Sequence, residues 1–392
     1  MATASASSLP SSIHAQCLDA YNTPYVYRSI PLPSMETPHD VLIKVDAASY
    51  CHTDAVAAAG KMGPGIPESF PLIGCHEYAG TVAALPAGYS GELKIGDRVG
   101  VPSRAFHPCT KCFECSSGPS AKDPHADDPG YSVYCPHSSN NGLVRPGGFQ
   151  EYSIVDDRQV APIPDDMAAT DAAVLMCAGI TIYGALKRCN LQPGQRVGIM
   201  GCGGGLGHLG LQFASAMGLR VVGIDAQDKP LQLAKETAAN IKDKGLPKGC
   251  SIPEIIDARA ASADEVAKRL GRDDGLVERG EMGLDAVIIL PDSQAAFTYG
   301  IGLLRNHGLC VLVSFPEKPF EVSAQDIVFR DIRLIGSLTG SNRLLREAVA
   351  FATKHNVRAH IRSFPLSKLN DLVEEYHKGV GGKLVIDMTL KD

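Results

Sequence analysis

The fold of this chain is decided by the stretch Met200-Gly-Cys-Gly-Gly-Gly-Leu-Gly207. A β-rich run at 196–200 precedes the glycines, and an apolar run with helical periodicity follows at 206–217. Glycines between a strand and a helix let the backbone turn tightly and approach a pyrophosphate, while the helix N-terminus offers unpaired N–H groups. The pattern therefore predicts a dinucleotide site, which is formed by Gly203, Gly204, Gly205, Leu206 and Gly207.

An acidic residue at the end of the next strand supports this interpretation. The run at 220–224 ends in Asp225, eighteen residues after Gly207. A carboxylate there accepts hydrogen bonds from a ribose diol and repels a 2′-phosphate, so NAD is favoured over NADP. The alternative is a glycine turn that serves packing alone. If Gly207 is the last glycine of a G-x-G-x-x-G pattern, the position of the first glycine is occupied by Cys202. Gly201 or Gly203 would then take the role of that first glycine.

Strands and helices alternate outward from the glycine run. We predict helices at 263–270 and 293–305 and strands at 284–290 and 309–313, an order that implies parallel βαβ units. Before them, short β-rich runs separated by Gly, Pro and Asp occupy 41–101, and a helical stretch covers 167–188. Two amphipathic helices, 342–354 and 367–378, and a strand at 383–387 close the chain. We therefore expect an α/β protein with two domains. Residues 176–336 form a doubly wound NAD-binding domain, and residues 1–175, completed by 337–392, form a β-rich domain.

Four cysteines form a cluster with metal-ligand spacing. Cys109, Cys112 and Cys115 follow a C-x2-C-x2-C pattern, and Cys135 comes after a loop of nineteen residues. Four thiolates saturate tetrahedral zinc, so such a site is structural. An iron–sulfur cluster is the competing interpretation. His125 or His137 could replace Cys135 as the fourth ligand, although we favour the cysteine.

A second set of possible ligands comes from three separate loops. Cys51 and His76 each lie at the end of a strand-like run, and Cys177 lies in the apolar helical stretch. Two thiolates and one imidazole leave the fourth position of a tetrahedral zinc ion open, as in a catalytic Lewis-acid site. An isolated Cys or His is more often a packed core residue or a satisfied surface group, so spacing alone leaves this site a hypothesis.

Composition narrows the remaining classes. The 392 residues carry a net charge of −6, with 44% hydrophobic and 20% charged residues, as expected for a globular protein. We expect no nucleic-acid partner, no membrane partner and no secretory signal, because there is no basic run and no uninterrupted apolar stretch of about 18 residues. The cytoplasm is the default location.

Taken together, the motifs resemble the zinc-containing medium-chain alcohol dehydrogenases, particularly those of the yeast type. The matching stretches are Cys51-His-Thr-Asp54, Gly74 with His76-Glu77, the four clustered cysteines, Gly147-Gly-Phe-Gln-Glu-Tyr152, Cys177-Ala-Gly-Ile-Thr-Ile-Tyr183, Gly204-Gly-Leu-Gly207, Val222-Gly-Ile-Asp225 and Arg346-Glu-Ala348. The resemblance implies a GroES-like catalytic domain beside the Rossmann-type domain. It also implies two Zn²⁺ per chain, NAD, a small alcohol or aldehyde substrate, and a homo-oligomer, either a dimer or a tetramer.

The resemblance further implies a role for each site residue around the catalytic zinc. Cys51, His76 and Cys177 hold the ion, Asp54 orients His76, and Glu77 lies behind the metal. Thr53 hydrogen-bonds the substrate oxygen and starts the proton relay.

For the coenzyme, the resemblance implies that His52 and Lys383 face the pyrophosphate. Thr181 and Leu206 pack against the nicotinamide, and Asp225 with Lys229 holds the adenosine ribose. The alternative for His52 is a solvated loop residue, and for Lys229 and Lys383 an ordinary surface charge.

Three departures from the family pattern stand out. Val56 occupies the place of the histidine that ends the proton relay, which predicts weaker general-base assistance. The chain has no Trp, and the places of two pocket-narrowing indoles hold Met62 and Ala105, which predicts that alcohols larger than ethanol are admitted. Insertions lie before Cys135 and around 243–251.

Two alternatives to this function remain. One is a polyol dehydrogenase of the same superfamily, against which Cys177 argues, since those enzymes commonly carry a carboxylate as third ligand. The other is a non-catalytic NAD-binding relative, and such relatives tend to lose zinc ligands that this chain keeps.

Overall fold

The computed structural model describes residues 9–63, 66–67, 69–103, 106–117, 132–244 and 252–391. The chain divides into two compact units. The first comprises Met1–Met176, Ser363–Glu374 and Leu384–Asp392, and the second Cys177–Arg362 and Glu375–Lys383. The segment 337–362 thus groups with the second unit, and the functional division into catalytic and coenzyme domains stays a prediction. Ala105, His125 and residues 245–251 lie outside the described residues.

Strands and helices are numbered separately along the chain. The strands are β1 (Ser12–Cys17), β2 (Val26–Pro31), β3 (Asp40–Tyr50), β4 (Glu77–Ala84), β5 (Arg98–Pro102), β6 (Tyr152–Asp156), β7 (Ala161–Pro162), β8 (Arg196–Met200), β9 (Arg220–Asp225), β10 (Glu254–Asp257), β11 (Leu284–Ile289), β12 (Leu304–Leu312), β13 (Arg333–Gly336), β14 (Ile361–Phe364) and β15 (Lys383–Asp387). The helices are α1 (His52–Ala58), α2 (Phe113–Ser116), α3 (Ala169–Val174), α4 (Ile180–Cys189), α5 (Gly207–Ala216), α6 (Asp228–Lys244), α7 (Ala263–Asp273), α8 (Gln294–Leu303), α9 (Ala324–Arg330), α10 (Asn342–Lys354) and α11 (Leu369–His377).

The first unit is organised by a seven-stranded sheet in the order β14-β15-β3-β4-β5-β7, with β6 also paired to β3. Strand β3 pairs antiparallel with β4, and Ala48 lies opposite Tyr78. Because antiparallel neighbours run in opposite directions, the end of β3 and the start of β4 lie at the same edge of the sheet. Cys51 follows β3 directly and His76 precedes β4 directly, so the sheet itself brings these two residues together.

The second unit contains a six-stranded parallel sheet in the order β10-β9-β8-β11-β12-β13. Counted along the chain, this is the order 3-2-1-4-5-6 of a doubly wound dinucleotide-binding fold, with its topological switch point between β8 and β11. Val222, Ile224, Val287 and Ile289 belong to its buried core. The predicted strands at 196–200 and 284–290 and the predicted helix at 342–354 are confirmed.

One apolar helical stretch joins the two units. Residues Ala169–Cys189 are long and apolar enough to pass a test for a membrane span, but 78% of the apolar window is buried inside the protein. Its composition is that of a core helix. A π-helical turn, Leu175–Gly179, interrupts it between α3 and α4. Such turns are rare and frequently occur at functional sites, and this one contains Cys177.

Candidate metal and coenzyme sites

The side-chain ligand atoms of three residues converge on one point. The side-chain ligand atoms of Cys51, His76 and Cys177 all lie within 4.8 Å of one another. Cys177 directly follows Met176, the last residue of the first unit's main segment. His76 Nε2 is buried and has no hydrogen-bond partner among the described residues. A buried imidazole nitrogen left bare among two sulfurs is suited to a metal ion, and two thiolates with one imidazole is a donor set typical of zinc.

Asp54 holds this arrangement from behind. His76 Nδ1 lies 2.9 Å from Asp54 Oδ1, and the same carboxylate accepts the backbone N–H groups of Cys51 at 2.9 Å and Cys75 at 3.2 Å. Asp54 occupies the first turn of α1, where a negative charge is stabilised. Burial disfavours a charged imidazole, but the charges of Asp54 and Cys51 outweigh it and raise the pKa of His76 well above its ordinary value.

Cys75 and Glu77, the two neighbours of His76 in the chain, are both buried. Glu77 is fully buried, and its Oε1 accepts a hydrogen bond of 3.0 Å from Ser49 Oγ. Cys75 has a positive φ of 75°, which is unusual for a residue other than glycine. Its thiol lies within 3.4 Å of the backbone carbonyl oxygens of Ser49 and Glu77. Cys75 is therefore a structural residue beside the metal-ligand set and not a member of it.

Helix α1 carries the predicted proton-relay residues on one short turn. Thr53 is partly buried, and its Oγ1 lies 3.9 Å from Cys51 Sγ. His52 is exposed at the first position of the helix, and Val56 is partly buried one turn further on. The Thr53 hydroxyl thus lies beside one member of the ligand set.

The four clustered cysteines come together as predicted from their spacing. The sulfur atoms of Cys109, Cys112, Cys115 and Cys135 lie within 4.8 Å of one another, and all four are free thiols. The backbone N–H of Lys111 lowers the pKa of Cys109 to about 6, whereas burial raises the pKa of Cys115 to about 12. The fourth member is Cys135, and His137 is exposed outside this set. Four sulfurs at this separation suit a closed tetrahedral zinc site.

The glycine turn shows which glycine replaces Cys202 in the pattern. Gly201 has a φ of +75° and makes the tight turn after β8. A Cβ on Gly203 would lie 1.9 Å from the carbonyl oxygen of Pro230, and one on Gly207 would lie 2.1 Å from that of Gly201. Gly201 therefore makes the tight turn, and Gly203 allows the close approach of the Pro230 backbone. Gly207 allows the start of the helix to pack against the turn at Gly201. By contrast, Gly204 has only one non-neighbouring atom within 4 Å of its Cβ position, at 3.3 Å.

Asp225 closes the turn from the end of β9. Its Oδ2 accepts the N–H of Gly203 at 3.1 Å, and its Oδ1 accepts those of Ala226 at 2.9 Å and Gln227 at 3.3 Å. A carboxylate has about four lone-pair sites, so room remains for a ribose diol. Lys229 is exposed in the first turn of α6.

Two further predicted coenzyme residues belong to the second unit. Thr181 is 7% exposed, and its buried Oγ1 has no hydrogen-bond partner among the described residues. Lys383 is 5% exposed, and its Cδ lies 3.1 Å from the position of a Cβ on Gly205. A buried lysine stem along a glycine turn argues against the alternative of an ordinary surface charge for Lys383.

A second glycine turn, which the local sequence pattern does not predict, lies beside the first. Gly379, Gly381 and Gly382 all have positive φ values, of 60°, 78° and 68°. A Cβ on Gly381 would lie 2.8 Å from the carbonyl oxygen of Gly203. The signal was present in the sequence as Gly379-Val-Gly-Gly-Lys383, but nothing local indicated that this stretch returns to the first turn.

Comparisons with known proteins agree with this geometry. Residues 37–165 match the family described as alcohol dehydrogenase GroES-like domain, and residues 205–354 match the zinc-binding dehydrogenase family. The chain is 32% identical to an alcohol dehydrogenase of Geobacillus stearothermophilus, over 95% of this chain and 98% of that protein. It is 30% identical to alcohol dehydrogenase 1 of Neurospora crassa, over 97% and 98%. Among solved structures, an alcohol dehydrogenase from Aeropyrum pernix matches with a TM-score of 0.76 and 27% identity, over 95% of this chain and 99% of that one.

Proposed function

The chain belongs to the zinc-containing alcohol dehydrogenase family, and on this premise we propose that it transfers hydride between an alcohol, or its aldehyde or ketone, and NAD(H). The observation that carries the proposal is the convergence of Cys51, His76 and Cys177, with His76 Nε2 bare. The described residues offer candidates for metal ligation, for the first proton acceptor and for coenzyme binding.

Zinc held by these three residues supplies Lewis acidity toward the oxygen of an alcohol. The protein's own part is to fix the ligands. Asp54 accepts from His76 Nδ1, so the Nε2 lone pair points at the ion, and the carboxyl group of the buried Glu77 lies next to His76 in the chain. Cys109, Cys112, Cys115 and Cys135 hold a second, structural zinc, which makes two per chain.

Proton transfer begins at the hydroxyl of Thr53. Its Oγ1 lies 3.9 Å from Cys51 Sγ, close enough to the ligand set to accept the proton of a substrate hydroxyl. Val56 offers no acceptor one turn along α1, so the proton leaves from the ribose hydroxyl through water or through another group. We expect this to reduce general-base assistance without abolishing turnover.

Bound NAD⁺ supplies the hydride acceptor. We propose that Gly203, Gly204, Gly205 and Gly207 face its pyrophosphate together with Lys383 and His52. Thr181 and Leu206 contact the nicotinamide, and Asp225 with Lys229 binds the adenosine ribose. The carboxylate of Asp225 disfavours a 2′-phosphate, so NAD is the expected coenzyme. Asp225→Gly should raise the NADP⁺/NAD⁺ ratio of kcat/KM at least tenfold. An unchanged ratio would refute the role of Asp225.

The proposal is tested with a panel of primary, secondary, aromatic and long-chain alcohols, each assayed with NAD⁺ and NADP⁺ by absorbance of the reduced coenzyme. We expect turnover with NAD⁺ that is lost in Cys177→Ser and kept in Cys189→Ala, a control on the same helical stretch outside the ligand set. Absence of turnover with every alcohol and carbonyl compound, in protein loaded with two zincs, would favour a non-catalytic relative.

Substrate scope is expected to extend beyond ethanol. No Trp is present, and Met62, partly buried, occupies the place of one pocket-narrowing indole. We propose that medium-length or aromatic alcohols are turned over better than ethanol. Cys177 as third ligand argues against a polyol dehydrogenase, and a strong preference for polyols in the same panel would reverse that judgement.

We also propose that the protein forms a homo-oligomer, a dimer or a tetramer. Val328 and Phe329 on α9 are 69% and 78% exposed, and the neighbouring strand β13 is an edge strand of its sheet. Exposed apolar residues beside an unpaired edge favour association with a second copy. Light scattering after size exclusion should give two or four chains and should shift toward one in Phe329→Glu. The cytoplasmic location stays a prediction, which cell fractionation can check.

A further inference from the structure

A buried histidine that the proposed mechanism does not use lies directly after the first glycine turn. His208 is 1% exposed, its Nδ1 lies 2.8 Å from the carbonyl oxygen of Gly204, and its Nε2 lies 3.0 Å from the backbone N of His360. Because a backbone N–H can only donate, Nε2 is the acceptor and the ring proton lies on Nδ1. His208 is therefore neutral, and both ring nitrogens are engaged.

Gln212 repeats the contact one helical turn later. Its Nε2 donates to the carbonyl oxygen of Arg358 at 2.8 Å, and its Oε1 accepts the N–H of Arg358 at 3.1 Å. Four residues of helix rise about 6 Å, and two residues of extended chain span about 6.6 Å. Helix α5 thus presents two polar side chains in register with alternate residues of the extended segment 358–360.

That segment in turn fixes the second glycine turn. The carbonyl oxygen of His360 accepts the backbone N–H of Lys383 at 2.9 Å. A Cβ on Gly382 would lie 2.6 Å from the same carbonyl oxygen, so the backbones at His360 and Gly382 are in close contact. Lys383 then runs along Gly205, with its Cδ 3.1 Å from that glycine's Cβ position. A closed chain of contacts therefore leads from Gly204 through His208, His360 and Lys383 back to Gly205.

We propose that His208 is a positioning residue for coenzyme binding, one that sets the place of the Lys383 side chain over the first glycine turn through the backbone of His360. This inference rests on the proposed coenzyme function. A cation held along a glycine turn is placed to meet the pyrophosphate of a dinucleotide. Without the bond at Nε2, the N–H of His360 loses its partner, and the position of Lys383 is no longer determined by α5.

Glutamine and asparagine each place an amide group near one ring nitrogen of histidine, so substitutions at His208 can test its two hydrogen bonds separately. His208→Gln places an amide oxygen near the position of Nε2 and can keep the bond to His360. His208→Asn places its amide near Nδ1 and can keep only the bond to Gly204. His208→Leu removes both bonds, and Lys383→Met removes the cation while keeping the apolar stem.

The experiment measures the dissociation constants of ADP-ribose and NAD⁺ by calorimetry on the zinc-loaded full chain. We expect His208→Leu, His208→Asn and Lys383→Met each to weaken ADP-ribose binding about tenfold. The double variant His208→Leu/Lys383→Met should weaken it no more than about tenfold, since both substitutions act through one cation. His208→Gln should stay within about threefold of the wild type. NAD⁺ should follow ADP-ribose, because the effect lies outside the nicotinamide.

Thermal unfolding separates positioning from general destabilisation. Phe213→Leu, a fully buried change on the same helix α5, is the matched control and should lower the unfolding temperature without changing the dissociation constant of ADP-ribose. If His208→Leu does not fold, the Gln and Asn variants decide the matter. Additive effects of His208→Leu and Lys383→Met, or equal binding by the Gln and Asn variants, would overturn the inference. Failure of the wild type to bind either nucleotide would instead overturn the proposed coenzyme function.

Discussion

Asp54 Oδ1 lies 2.9 Å from His76 Nδ1, and both side chains are buried. The same carboxylate accepts the N–H groups of Cys51 and Cys75, so one side chain holds the ring of His76 together with the loops that carry Cys51 and His76. Removing its charge affects ring orientation and loop position together.

Asp54→Asn should therefore weaken zinc binding at this site about 10–100-fold, the range found for groups that orient metal-ligating histidines. Competition with a chromophoric chelator gives the affinity. Asp46→Asn is the control, since the Asp46 carboxylate accepts from Thr81 Oγ1 and lies outside the ligand set. Zinc affinity equal to the wild type in Asp54→Asn would contradict the role of Asp54.

Thr53→Val should lower kcat by about 10²–10⁴-fold, because the hydroxyl beside Cys51 is the first proton acceptor. Thr53→Ser keeps a hydroxyl and should retain most of the turnover. Zinc content of both variants is expected to equal that of the wild type. Comparable kcat values for the Ser and Val variants would remove Thr53 from the relay.

Val56→His should restore a terminal base one turn beyond His52 on α1. We expect the rate of alcohol oxidation near neutral pH to rise and a new ionisation, close to that of histidine, to enter the pH profile of kcat. Val56→Gln, similar in size but without such an ionisation, is the control. A pH profile unchanged by histidine would show that the proton leaves by another path.

Cys112→Ser should reduce the zinc content from two ions per chain to one, since it removes one of the four sulfur ligands. The unfolding temperature should fall as well, because binding of a structural zinc contributes to the free energy of folding. Acid should release this ion as well. Protons compete with zinc for the four thiolates, so the ion is held near neutral pH and is lost as the pH falls. Elemental analysis after dialysis at a series of pH values checks both points.

Burial lowers the pKa of His208 to about 4, whereas the unfolded chain titrates at the ordinary value of 6.5. Between these values the unfolded state binds more protons, so the free energy of unfolding falls as the pH is lowered from 6.5 to 4. The loss amounts to about 3 kcal/mol at one unit of pKa per 1.36 kcal/mol. Urea unfolding across this range, compared with His208→Gln, isolates the contribution, which should vanish in the variant.

Local pattern was sufficient to predict most elements of the second unit. Strand β8, the glycine turn and Asp225 follow one another in the sequence, so the periodicity of apolar residues and the turn chemistry determine them directly. The four clustered cysteines were predictable for the same reason, apart from the loop before Cys135.

Contacts between distant residues escaped prediction. The π-helical turn around Cys177 has no distinctive composition, and the bond between His208 and His360 joins residues 152 positions apart. Strand β10, which has only four residues, and helix α6 were also missed. Such features depend on which segments pack together, which a single sequence does not state.

The convergence of Cys51, His76 and Cys177 on one zinc ion can be tested by anomalous diffraction at the zinc edge, from crystals of the full chain. We predict two peaks per chain, one of them about 2.3 Å from the sulfurs of Cys51 and Cys177 and about 2.0–2.1 Å from His76 Nε2, with a fourth position that takes an oxygen ligand. A single peak at the four clustered cysteines would contradict the account. So would a second peak whose fourth position is filled by a protein side chain.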